Sequence, residues 1–188
     1  VIPALRRTFD APEWQLGLVA PAGTVGFLLM VTVVGLVASR FDTRRLLLVG
    51  VFGTGAGMLV MGVAPSLLFF LAALLGRGLF TGVARGSDRP LLSHLYPSQR
   101  GRLFGYYDMM WAVGATAGPL LVAAAVAAGN WRLAYFGLAL AFVPVVALVL
   151  LLPTPSVDGG DVPLDLAELR RIGRRPEVVA MAAGLFLS

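Results

Sequence analysis

The chain has 188 residues, of which 58% are hydrophobic and 13% charged, and its formal net charge is +5. Soluble globular domains carry roughly 25% charge, so water is excluded as the main solvent. Nucleic acid is a poor partner for the basic balance, because the cations punctuate apolar runs instead of gathering on one wettable face; no Cys and a single His94 also exclude disulfides, thiolate chemistry and Cys or His metal clusters.

A membrane helix needs about 20 apolar residues to cross about 30 Å of hydrocarbon. Runs of that kind fall at residues 14–39, 46–64, 66–87, 103–128 and 133–152. Only Arg77 interrupts the middle of the third, and only Asp108 lies well inside the fourth. The pattern predicts an all-α membrane protein whose residues 1–152 form an antiparallel transmembrane helix bundle. Residues 153–177 change character: Pro153, Pro155, Gly159, Gly160 and Pro163 precede a segment where Leu166, Leu169 and Ile172 recur at helical spacing beside Arg170, Arg171, Arg174 and Arg175. That composition predicts a cytoplasmic linker with an amphipathic segment lying on anionic lipid. A further span is expected to start in residues 178–188.

The connections differ in charge. Arg40, Arg44, Arg45, Arg85, Arg89, Arg100, Arg102 and the linker arginines all fall on one side of the bundle, and Arg6, Arg7 and Arg132 on the other. The positive-inside rule makes the first side cytoplasmic. Residues 1–13 are then external, which implies a helix before Val1 in a chain whose N-terminus is cytoplasmic. Trp14 and Trp131 sit at the outer ends, where amphipathic rings favour the headgroup level.

Several residues suit a moving membrane protein. In the first cytoplasmic connection Gly35 precedes Arg40, Asp42, Arg44 and Arg45, a glycine followed by close opposite charges at a hinge. In the third span Arg77 lies about eleven residues from either end, near the bilayer midplane. A cation there costs about 2.5 to 3.5 kcal/mol to insert, so it should face the bundle interior or a watery cavity, with a partner. Asp108 reads either as a protonatable carboxylate in a pathway or as the counter-ion of Arg77, Arg85 or Arg102. In the fourth span Gly114 and Gly118 share a helix face and let a neighbouring backbone come close, while Pro119 withdraws an N–H from the Ala115 carbonyl and favours a bend. His94 reads as a solvated loop residue. No phosphate loop, Ser-His-Asp set or metal spacing is present, so no enzyme is indicated and no cofactor is expected.

Together these residues resemble the major facilitator superfamily. Gly35, Arg40 and Arg44 match its loop between the second and third helices, although Ser39 stands where that family has an acid and Asp42 where it has a second Gly. Gly105, Gly114, Gly118 and Pro119 match the spacing of its fifth helix, a pattern associated with antiporters, without the trailing Gly-Gly. Gly76-Arg77-Gly78 looks like its fourth-helix arginine motif. The resemblance implies the N-terminal half of a transporter, lacking most of helix one and running to the start of helix seven. It further implies a solute bound between two halves that rock to expose it to each side in turn, a proton gradient as the driver, and Arg77 and Asp108 as coupling elements. Partners implied are a small-molecule solute, the lipid bilayer and a C-terminal half, in a bacterial plasma membrane. Proton-coupled efflux is the preferred expectation; a proton symporter importing a metabolite, or a non-transporting scaffold or receptor, are the alternatives.

Overall fold

The computed structural model describes residues 2–37 and 41–151. Arg40, the linker expected at 153–177 and the span expected from 178 lie outside the described residues. The elements, in order, are α1 (Ile2–Phe9), α2 (Glu13–Gly17), α3 (Val19–Val37), α4 (Thr43–Gly62), α5 (Leu67–Leu95), α6 (Arg100–Ala127) and α7 (Arg132–Leu151), and no strand occurs among the described residues. Glu13–Val37, α4, most of α5, α6 and α7 are each long and apolar enough to cross a membrane.

Local chemistry explains the ends. Asp42 caps α4 by accepting the Arg44 N–H at 2.9 Å, and Ser66 caps α5 by accepting the Phe69 N–H at 3.3 Å. After α6 the chain turns at Gly129, with φ 83, the left-handed conformation that glycine adopts without steric cost. There the Asn130 N–H reaches the Ala125 carbonyl at 3.1 Å and the Gly129 N–H the Val126 carbonyl at 3.0 Å. The first span is split at Leu18 because Pro21 has no N–H to give the Gly17 carbonyl.

The third span departs from expectation. It was expected to end at 87, yet α5 continues through Asp88, Arg89 and His94 to Leu95, leaving Tyr96 to Gln99 as the connection to α6. His94 is therefore in the last helical turn, not in a loop. Charge ends an apolar run without ending a helix, and here the polar turns find partners on α6.

Helix α5 is the centre of the bundle, packed on α3 along one side and on α4 along another, and α4 packs in turn on α7. Lipid tails are as apolar as leucine, so helices associate through close backbone approach rather than hydrophobic exclusion. Glycines provide it. A Cβ on Gly26 or Gly78 would collide with the carbonyl oxygen of Leu75 or Gly23, one on Gly82 would stand 2.7 Å from the Phe27 carbonyl oxygen, and one on Gly50 would strike the Ala84 backbone.

The expected close approach at Gly105, Gly114 and Gly118 does not occur among the described residues: a Cβ at any of them would meet nothing within 4 Å, and α6 buries none of its residues. At the end of the bundle where α4 joins α5, Leu5, Met61, Ala64, Phe70 and Trp131 form a buried cluster. Trp131 is 6% exposed, donates its indole N–H to Thr8 Oγ1 at 2.9 Å, and meets Phe9, Phe70 and Tyr135 edge to face. It is thus a core residue and not a headgroup anchor, whereas Trp14, at 68% exposure, is free to fill that role.

Candidate functional site

Arg77 lies ten residues into α5, about 15 Å from its N-terminal end at 1.5 Å per residue. Its stem rests against Gly57 of α4, where an added Cβ would stand 2.9 Å from the Arg77 Cβ. The guanidinium turns toward α3, with Nη2 3.9 Å from where a Cβ on Gly23 would be. There it lines a cleft of about 380 Å³ together with Thr24 and Phe27 of α3, Phe70 and Thr81 of α5, and Tyr135 of α7. The Arg77 Nε is buried and has no hydrogen-bond acceptor. Thr81 Oγ1 donates to the Arg77 carbonyl at 2.8 Å and lies 3.2 Å from Thr54 Oγ1, which donates to the Gly50 carbonyl at 2.7 Å. These hydroxyl bonds satisfy two polar side chains inside an otherwise apolar bundle.

Asp108 does not line this cleft. Its Oδ1 pairs with Arg89 Nη2 at 3.3 Å, rather than with Arg77, Arg85 or Arg102, and both side chains are more than half exposed. One residue away is a node that composition did not reveal. The Tyr107 hydroxyl accepts from Arg85 Nη1 and donates to Asp88 Oδ2, while Arg85 and Arg89 place their guanidinium carbons 5.3 and 5.6 Å from the Tyr107 ring centre. Arg85 and Asp88 also pair directly at 3.8 Å. The signal available in sequence was Arg85, Asp88 and Arg89 at helical spacing, a polar face continuing beyond the apolar span.

At the hinge, Arg45 Nε lies 3.7 Å from Asp42 Oδ2. Arg44 reaches across to the end of α7, where Nη2 donates to the Val149 and Leu150 carbonyls at 3.3 and 3.1 Å. Arg132 mirrors this at the opposite end of the pair, donating to the Gly62 and Ala64 carbonyls at 2.7 and 2.9 Å. Each member of the antiparallel pair α4 and α7 thus carries an arginine that closes the other's C-terminus. Gly35 has open space around it, with nothing within 4 Å of an added Cβ.

Known proteins bear on these features. The whole chain, residues 1–188, matches the family profile described as Major Facilitator Superfamily. The chain belongs to the Major Facilitator Superfamily. As a major facilitator it is a multi-pass membrane protein, and its kinship is with transporters rather than enzymes. It is 31% identical to the puromycin resistance protein pur8 of Streptomyces alboniger over 173 residues, covering 88% of this chain and 33% of that protein. It is 26% identical to the multidrug resistance protein Stp of Mycobacterium tuberculosis, covering 84% of this chain and 29% of that protein. The chromaffin granule amine transporter of Homo sapiens is 26% identical over 119 residues, with 61% of this chain and 23% of that protein covered. The chain therefore spans from about a quarter to about a third of the length of these curated relatives.

Proposed function

We propose that the protein is a secondary transporter of the bacterial plasma membrane that exports a small organic solute in exchange for protons by alternating access. Relatives named for puromycin and multidrug resistance favour export. The observation that carries the reading is Arg77, a cation deep in an apolar helix and facing an open cleft lined by three helices and Met61 of α4. Such a residue is costly to keep in hydrocarbon unless it meets a substrate, an ion pathway or a moving partner. Major facilitators are themselves the standing case of two halves rocking about a midplane site. In this reading α6, with its bare glycine face, is covered by parts of the protein outside the described residues. Arg77 takes part in coupling at the cleft. Asp108 and the Tyr107 node act at the cytoplasmic end, making and breaking contacts as the halves rock.

The test is flux. The full-length protein is reconstituted in vesicles with an imposed pH gradient and screened against organic solutes. Gradient-dependent movement of at least one solute is expected, lowered about tenfold or more in Arg77→Ala. No gradient-dependent flux for any solute, with Arg77→Ala indistinguishable from the parent, overturns the reading. Protons moving in the same direction as the solute replace antiport by symport.

A further inference from the structure

Among the described residues the Arg77 cleft is lined by hydrogen-bond donors and by no carboxylate. Among the described residues the carboxylates of Glu13, Asp42, Asp88 and Asp108 are paired with Arg6, Arg45, Arg85 and Arg89 respectively. Asp10 lies in the turn after α1 and does not line the cleft. No carboxylate among the described residues therefore meets Arg77, whose buried Nε has no acceptor. Guanidinium offers only donors, and its fork matches a planar pair of oxygens. Tyr135 lines the same cleft, its ring held by edge contacts to Phe70 at 5.7 Å and Trp131 at 5.8 Å, and a phenol adds an O–H. Val19, Phe27, Met61, Phe70 and Leu74 on the same wall suit an apolar or aromatic body, and the hydroxyls of Thr24 and Thr81, also in the lining, already donate to the Ala20 and Arg77 carbonyls. A volume of about 380 Å³ lies within the range of small-molecule sites, about 300 to 1,000 Å³.

We propose that this cleft recognises amphipathic organic anions, holding the carboxylate on Arg77 and Tyr135 and the apolar body on the aromatic and aliphatic wall. The inference rests on the transport reading and names the class of solute. A cation of the same shape is disfavoured, because it would bring a second positive charge beside Arg77 in a medium that screens poorly. A neutral amide of the same shape keeps the wall contacts and loses the charge-assisted bonds.

Three probes of one shape separate these effects: naphthylacetate, naphthylacetamide and naphthylmethylamine, measured for binding and for flux with the full-length protein in vesicles. The acid is expected to bind about tenfold or more tightly than the amide, and the amine more weakly than either. Arg77→Gln is expected to remove the preference for the acid while leaving amide binding within about threefold, and Arg77→Lys to restore part of it. Tyr135→Phe, which keeps the ring, is expected to weaken acid binding by about threefold or more. It decides the matter where Arg77→Gln does not fold. Equal binding of acid and amide overturns the inference, as does acid binding unchanged in Arg77→Gln; the latter result assigns the missing carboxylate to another part of the protein. Flux of other solutes with no preference for the acid sinks the inference and leaves transport standing. Absence of flux for every solute sinks the transport reading instead.

Discussion

Tyr107 is a single side chain serving charges on another helix. Its hydroxyl stands between Arg85 and the Asp88 carboxylate, and its ring lies beneath two guanidinium groups. Asp88 is only 18% exposed, so loss of the hydroxyl leaves a mostly buried carboxylate short of one donor. Hydrogen bonds to charged groups contribute about 1.5 to 3 kcal/mol, against about 0 to 1 for an exposed ion pair. Tyr107→Phe should therefore destabilise the protein by about 1.5 kcal/mol or more. Asp108→Asn, which breaks the exposed pair with Arg89, should cost under about 1 kcal/mol. Unfolding of the two variants in mild detergent compares them directly, and equal losses would show that the hydroxyl carries no special weight. The contrast also explains the different legibility of neighbouring residues. Asp108 was conspicuous as an acid in an apolar run, yet its partner, Arg89, was not the arginine that spacing suggested. Tyr107 looked like any tyrosine near a helix end, because a hydroxyl's role depends on what a second helix brings to it.

At the scale of elements, α4 and α7 are joined by Arg44 and Arg132, each on the other helix's terminal carbonyls. Arg132 makes the shorter bonds, 2.7 and 2.9 Å against 3.1 and 3.3 Å, and its guanidinium carbon lies 4.8 Å from the Trp131 ring centre. Arg132→Ala is expected to cost about 2 to 3 kcal/mol and Arg44→Ala about 1 to 2 kcal/mol, from the worth of charged hydrogen bonds. The two sites are a helix length apart, so the double variant should show the sum to within about 0.5 kcal/mol. A marked shortfall, read from the same unfolding measurement, would mean that the first loss already separates the pair. Element boundaries were largely legible, because apolar runs end where charge begins, and α4, α6 and α7 start or stop within a few residues of the expected limits. The polar end of α5 was not, since helix propensity outlasts hydrophobicity. Glycine spacing was legible as a pattern both in Gly114 and Gly118 and in Gly78 and Gly82, each pair four residues apart, but only Gly78 and Gly82, with Gly26 opposite, touch a neighbouring backbone, because contact depends on what a second helix brings and not on spacing.

For the whole molecule, arginine placement predicts an orientation that is open to a direct test. The 188 residues contain no Cys, so a single cysteine placed among them reports its own position once any cysteine elsewhere in the full-length protein has been replaced. Ser98→Cys, in the connection after α5, should react with an impermeant thiol reagent only from the cytoplasmic side. Ala128→Cys, at the end of α6, should react only from outside. The reverse pattern would overturn the assignment of inside and outside. The reciprocal arginines have a consequence at this scale too. Helix α4 has 20 residues, about 30 Å of length, close to the thickness of bilayer hydrocarbon at about 30 Å. A helix pair pinned at both ends cannot slide to shorten or lengthen its apolar belt, so mismatch with a thinner or thicker bilayer must be absorbed by tilt or by deforming the lipid. The α4 and α7 pair is thus a gauge of fixed length, and the thickness of the surrounding membrane becomes a variable to which the rest of the bundle must adjust.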